Sequence, residues 1–253
     1  DYFLASKSLP WWAVGASLIA ANISAEQFIG MSGSGFKLGL AIASYEWMAA
    51  LTLIIVGKYF LPIFIEKGLY TIPEFVEKRF STNLKTILAV FWIALYIFVN
   101  LSSVLYLGSL ALETIMGVPK IYGVIGLAAF AAAYSLYGGL SAVSWTDVIQ
   151  VFFLTLGGFA TTYLALDLVS GRDGLWEGFL AIYKAAPDHF TMILDKSNPE
   201  YNNLPGIGVL VGGMWVANLY YWGFNQYIIQ RTLAAKSLRE AQKGILFAAG
   251  LKM

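Results

Sequence analysis

The residues best suited to chemistry sit where a membrane helix should have none. Between Ser8 and Ala25 there is no charge, yet Asn22, Ser24, Glu26 and Gln27 crowd one turn and a half at the end of that apolar run. In hydrocarbon an unsatisfied polar group costs several kcal/mol, so such a cluster persists only where it faces protein or a water-filled cavity. Gly30, Gly33 and Gly35 follow among small residues, the composition of a helix that opens and releases backbone carbonyls for a cation. Residues 17–35 therefore read as a broken transmembrane helix forming part of a binding site. Glu26 and Gln27 point about 100° apart on a regular helix. Gln27 is the better ligand contact, because an uncharged amide both donates and accepts, as hydroxyls require; Glu26 then faces a structural partner or an aqueous vestibule.

Other polar groups lie inside apolar segments. Glu46 is an intramembrane acid that could accept hydrogen bonds from a polar substrate, relay a proton or form a structural pair. Lys58 is 12 residues on, about 18 Å along a helix and too far to pair with it. Asn218, Tyr221 and Trp222 bring an amide and two aromatic rings together; that combination serves sugar recognition, with rings against C–H faces and amides on hydroxyls, or plain helix packing. Lys252 either needs a buried partner or polar ligand, or snorkels to the interface. Asp147 is expected to begin a helix, where it caps the N-terminus or serves as a waypoint for a cation moving inward, with Arg231 as a partner.

These residues must be held by membrane helices. Of 253 residues, 58 % are hydrophobic and 12 % charged, half the charge of an average soluble domain at roughly 25 %. The chain reads as an all-α, polytopic transmembrane helical bundle bound by the lipid bilayer. A net charge of +1 offers no case for nucleic acid, and the absence of Cys, with His189 alone, leaves thiolate and metal chemistry without ligands. Crossings are expected at about 10–31, 38–65, 86–112, 121–134, 148–166 and 205–230, with a seventh begun at Gly244. A short surface helix is expected after Thr71-Ile72-Pro73-Glu74, a tight turn with a helix start at 137–147, and a long polar connection at 167–204 with a surface helix near 174–186. The chain reads as one transporter domain, 1–253, cut at both ends.

Lys and Arg orient it. Lys7, Lys67, Lys78, Arg79, Lys85, Arg231, Lys236, Arg239 and Lys243 share one side, against Lys37, Lys120, Arg172, Lys184 and Lys196 on the other. The richer side is expected to be cytoplasmic. Crossings one and six are both apolar at their ends and amide-rich in the middle, the places that a five-plus-five inverted repeat gives its two discontinuous helices. That spacing points to a secondary transporter.

Several contiguous motifs carry a family likeness: Ala21-Asn22-Ile23-Ser24-Ala25-Glu26-Gln27-Phe28-Ile29-Gly30, Tyr137-Gly138-Gly139-Leu140-Ser141-Ala142-Val143, Trp145-Thr146-Asp147 and Tyr221-Trp222-Gly223-Phe224-Asn225-Gln226-Tyr227. Along essentially its whole length the chain resembles the sodium/solute symporter family. The resemblance implies a sodium-coupled sugar symporter, of the galactose or glucose type, in the inner (plasma) membrane. Its core would be a partial five-plus-five inverted repeat (LeuT-like), with core helices one to six and the start of the seventh in this chain.

By motif, the resemblance places Gln27, Glu46, Asn218 and Lys252 around the sugar hydroxyls, Tyr221 on the pyranose as inner gate with Trp222 behind it, and Met31 and Tyr45 in an outer gate. It gives sodium the backbone carbonyls of Ala20 and Ile23, with hydroxyl ligands from an eighth core helix outside this chain, and puts Asp147 on the ion's inward route. No organic cofactor is implied. The resemblance also implies a serine one turn past Glu46, where this chain has Ala49. Competing expectations are a symporter of the same family for another solute such as proline, an intramembrane enzyme using Glu26, Glu46 or Asp147, and a sugar sensor. The enzyme lacks a nucleophile with an adjacent base, and the sensor lacks a signalling domain.

Overall fold

The computed structural model describes residues 2–204 and 206–253; Pro205, where the sixth crossing was expected to start, lies outside them. The described residues are helical almost throughout, and no β-sheet occurs among them. Helix α1 (Trp11–Asn22) stops at Ile23, whose backbone is extended (φ −84°, ψ 110°). The chain resumes as α2 (residues 26–38), opening with a π-helical turn over Glu26–Met31. The first crossing is thus broken at 23–25, as its polar middle requires. Gly39 (φ +63°) turns the chain into α3 (residues 44–66). A backbone this tight against His189 leaves no room for a Cβ.

A short surface helix, α4 (Ile72–Arg79), follows, and Thr71 caps it by accepting the Glu74 N–H at 3.2 Å. Next come α5 (Thr82–Met116) and α6 (Lys120–Val169). At 50 residues α6 is far too long for one crossing of roughly 30 Å. It divides at Gly139 (φ +55°, ψ −152°), and Leu140 to Asp147 are already helical. The expected tight turn and helix start within 137–147 are both present: a single glycine in a conformation closed to side chains makes the turn, and the helix begins at Leu140, earlier than the expected crossing at 148. The expected surface helix in the polar connection is α7 (Leu175–Ala185).

The second broken helix is α8 (Gly206–Phe224), which ends in a π-helical turn over Tyr220–Phe224. Asn225 is extended (φ −80°, ψ 121°), and α9 (Gln226–Leu233) follows before α10 (Leu238–Leu251). Each broken crossing therefore has one extended residue at its break and a π turn beside it, a feature found disproportionately at functional sites. Four stretches are long and apolar enough to cross a membrane by composition: Glu26–Glu66, Thr82–Met116, Lys120–Val169 and Gly206–Phe224.

The core lies where α1, α3, α9 and α10 meet, around Leu18, Leu53, Ile228, Ile229 and Ile245, all essentially sealed from solvent. Helices α1 and α10 approach backbone to backbone. A Cβ on Gly15 would stand 2.6 Å from the Gly244 carbonyl oxygen, and one on Gly244 would stand 2.8 Å from that of Trp11. The three basic connections gather on one side, as the alternation of crossings requires. Leu9 exchanges backbone hydrogen bonds with Ala234 (3.2 Å) and Lys236 (3.1 Å), the Trp11 N–H donates to Glu240 at 2.9 Å, and the Lys7 ammonium lies 5.2 Å from the Tyr70 ring.

Candidate binding site

The break in the first crossing is built from its own sequence. In a continuing helix the Ser24 N–H would go to the Ala20 carbonyl, and the Gln27 N–H to that of Ile23. Here Ser24 N–H donates instead to the Gln27 side-chain oxygen at 2.8 Å, and Gln27 N–H to the Ser24 carbonyl at 3.1 Å. The Ala20 and Ile23 carbonyls thereby lose their usual donors. Such carbonyls are hard oxygen ligands, suited to an alkali cation. The Ser24 hydroxyl adds a second hydrogen bond to the Gln27 oxygen at 3.1 Å, so the amide oxygen holds the break, and Gln27 also lines the adjoining cavity.

Glu46 near the start of α3 and Lys252 at the end of α10 form an ion pair, and the Lys252 ammonium also donates to the Asn22 side-chain oxygen at the end of α1. It lies 5.3 Å from the Trp222 ring centre. Three helices are tied at one point. The pair stands between two cavities: Gln27, Phe28, Met31 and Leu251 line one of about 280 Å3, while Tyr45, Ala49, Asn218, Tyr221 and Trp222 line the other, of about 340 Å3. Glu46 and Lys252 line both. Their volumes fall near the low end of small-molecule sites, roughly 300–1,000 Å3. Within them Asn218 donates to the Met214 carbonyl at 3.1 Å, and the Tyr221 ring lies edge-on to Trp222, 5.1 Å between centres. Of the alternatives for Lys252, the buried partner is realised and snorkelling is not, since its side chain is 4 % exposed.

Below the cavities, Tyr221 Oη accepts from Asn22 Nδ2 at 3.2 Å and shares a 2.8 Å hydrogen bond with Tyr227 Oη. Deeper still, Asp147 on α6 is buried, accepts from the Ser17 hydroxyl and faces Arg231 Nε at 3.5 Å; Arg231 Nε also donates to Ser17 Oγ at 2.9 Å. The expectation that Asp147 caps a helix start is corrected. The helix is already two turns old at this residue, which turns it inward onto α1 and α9. One turn earlier, the buried Ser144 hydroxyl has no hydrogen-bond partner among the described residues.

All the sequence-expected side chains but Asp147 line these two cavities, and Asp147 sits apart in its own cluster. Reading the sequence missed Ser17, Tyr96 and Tyr227. Ser17 could have been flagged as a hydroxyl in an apolar run, but the tyrosines give no signal that separates them from packing aromatics.

The sequence pattern of the sodium:solute symporter family matches residues 2–252. The chain belongs to that family. It is 78 % identical over 253 residues to a sodium/glucose cotransporter of Vibrio parahaemolyticus, covering all of this chain and 47 % of the relative. It is 36 % identical over 261 residues to the human sodium/myo-inositol cotransporter 2, again along the full chain and 38 % of the relative. The structure of a Na+-coupled sialic acid symporter in a substrate-bound outward-open state superposes with a TM-score of 0.83 at 23 % identity, covering all of this chain and 52 % of the other. That likeness fixes the fold. This member of the symporter family thus spans about half the length of the relatives it matches. Family and relatives are membrane transporters, not enzymes, which removes the enzymatic expectation.

Proposed function

We propose that the full-length protein couples inward sodium movement to uptake of a sugar, of the galactose or glucose type, across the inner membrane. Residues 1–253 would supply six crossings and part of a seventh. One observation carries the reading: the Glu46–Lys252 pair joins two cavities beside the break of the first crossing and against Trp222 in the π turn that precedes the break of the second. Gln27, Glu46, Asn218 and Lys252 offer donors and acceptors to hydroxyls, Tyr221 gates the site inward with Trp222 behind it, and Met31 and Tyr45 flank it outward. Sodium takes the freed carbonyls of Ala20 and Ile23. Beside Ile23 an apolar groove of about 930 Å3 between α2, α5 and α6 is open to further helices, which would bring the remaining ligands. Asp147 is the ion's inward station. The alternative of a symporter for a carboxylate solute such as proline fits poorly, because the site offers an acid and amides where a carboxylate wants free cations.

The test is uptake of labelled galactose by the full-length protein in proteoliposomes, beside Gln27→Ala. Uptake should require an inward sodium gradient and fall at least tenfold in the variant; uptake indifferent to sodium overturns the reading. A second reading, symport of another ring polyol, rests on the relative named a sodium/myo-inositol cotransporter, and Ala49, which lines the cavity without a hydroxyl, is a position where the preference would differ. Sodium-driven uptake of inositol in preference to galactose would establish it.

A further inference from the structure

The Tyr221–Tyr227 hydrogen bond joins the gate to a residue that the binding site does not touch. Tyr227 lies in the first turn of α9, and that turn is pinned from three sides. Tyr96 on α5 donates to the side-chain oxygen of Asn225 at 2.7 Å and sets its ring edge-on to Tyr227, 5.6 Å between centres. The Gln226 side-chain oxygen accepts the Ile72 N–H at the start of α4, at 2.8 Å. Arg231, one turn on, donates to the Tyr227 carbonyl while its Nε holds Ser17 and Asp147. Tyr221, by contrast, sits in a π turn just before the extended Asn225. The phenol beside the break of the crossing is therefore bonded to the phenol of a turn tied to three other elements.

We infer that Tyr227 is a positioning residue for the inner gate: its hydroxyl latches Tyr221 shut, and Arg231 ties that latch to the Asp147 station, so that ion and gate share one helical turn. Tyr221 has a second partner in Asn22, itself bound by Lys252. The gate phenol is thus held from the sugar side by Asn22 and from the ion side by Tyr227. A cation that draws Asp147 away from Arg231 would loosen the second hold and leave the first. The inference rests on the reading of Tyr221 as a gate.

The test uses purified full-length protein in detergent, with hydrogen exchange across residues 220–225 followed without sugar, and release of bound labelled galactose followed in sodium. Tyr227→Phe keeps the ring and removes one hydroxyl; exchange and sugar release should both accelerate about fivefold, the loss of one hydrogen bond of ordinary net strength. In a Tyr221→Phe background the same substitution should change neither. A general packing defect would act equally in both backgrounds, and that result, or unchanged exchange in the single variant, overturns the latch. Arg231→Lys keeps the charge opposite Asp147 but shifts the donors off the Tyr227 carbonyl; it should act in the same direction and be silenced by Tyr221→Phe. Absence of galactose binding in the unmutated protein would instead refute the sugar reading, while the exchange data still decide the latch.

Discussion

Replacing Glu46 by Gln should do far more harm to the fold than replacing Lys252 by Met, and the two together should do less than the first alone. The pair is lopsided: the Lys252 side chain is 4 % exposed, that of Glu46 26 %. Glu46→Gln leaves an ammonium sealed among Asn22 and Trp222 with no countercharge. Breaking a buried pair from one side costs about 3–5 kcal/mol, and the partial exposure of Glu46 places this case at about 3. Lys252→Met strands a carboxylate that solvent reaches, for about 1–2 kcal/mol. The double variant carries no charge and should return to within about 1 kcal/mol of the unmutated protein, a coupling of about 3 kcal/mol. Denaturant unfolding in detergent, read by tryptophan fluorescence without sugar, measures all four corners of this cycle. Under the function proposed above, galactose binding should be lost in all three variants, which separates that proposed role of the pair from its service to the fold. A double variant as unstable as the two singles summed would refute the argument.

Gly244→Ala should destabilise the α1–α10 contact by about 1–3 kcal/mol, because the added methyl meets the Trp11 backbone oxygen, which has nowhere to go; thermal unfolding reads it. At the surface, the Lys78 ammonium 2.7 Å from Glu74, with the Tyr70 N–H, holds that carboxyl below its ordinary 4.5. A depressed folded pKa means that the contribution is complete above 4.5 and is lost as pH falls through the folded value. The protection of the Tyr70 and Glu74 amides, measured as the exchange rate relative to the unstructured peptide at the same pH, should therefore fall below pH 4.5, and Glu74→Gln should abolish that dependence.

Much of this protein is written locally. Amides inside an apolar run must break a membrane helix or face a cavity, so both discontinuous crossings and the side chains around Glu46 were legible without coordinates. The alternation of crossings foretold which basic connections share a side, and Thr71, Pro73 and Glu74 announced α4. Asp147 lies two turns into its helix and not at its start, because the single positive φ of Gly139 turns the chain and lets the helix begin at Leu140.

What the sequence could not decide is who meets whom. Spacing on one helix identifies neighbours within about four residues. The partner of Glu46 lies 206 residues away and that of Ser17 on α6 lies 130 away, positions fixed only when α1, α3, α6 and α10 pack. Tyr221 and Tyr227 are six residues apart, yet on a continuous helix they would point to different faces. The extended backbone at Asn225 brings their hydroxyls together, and that bend is held by Tyr96 from another helix. Residue type set which groups needed partners, and packing chose them.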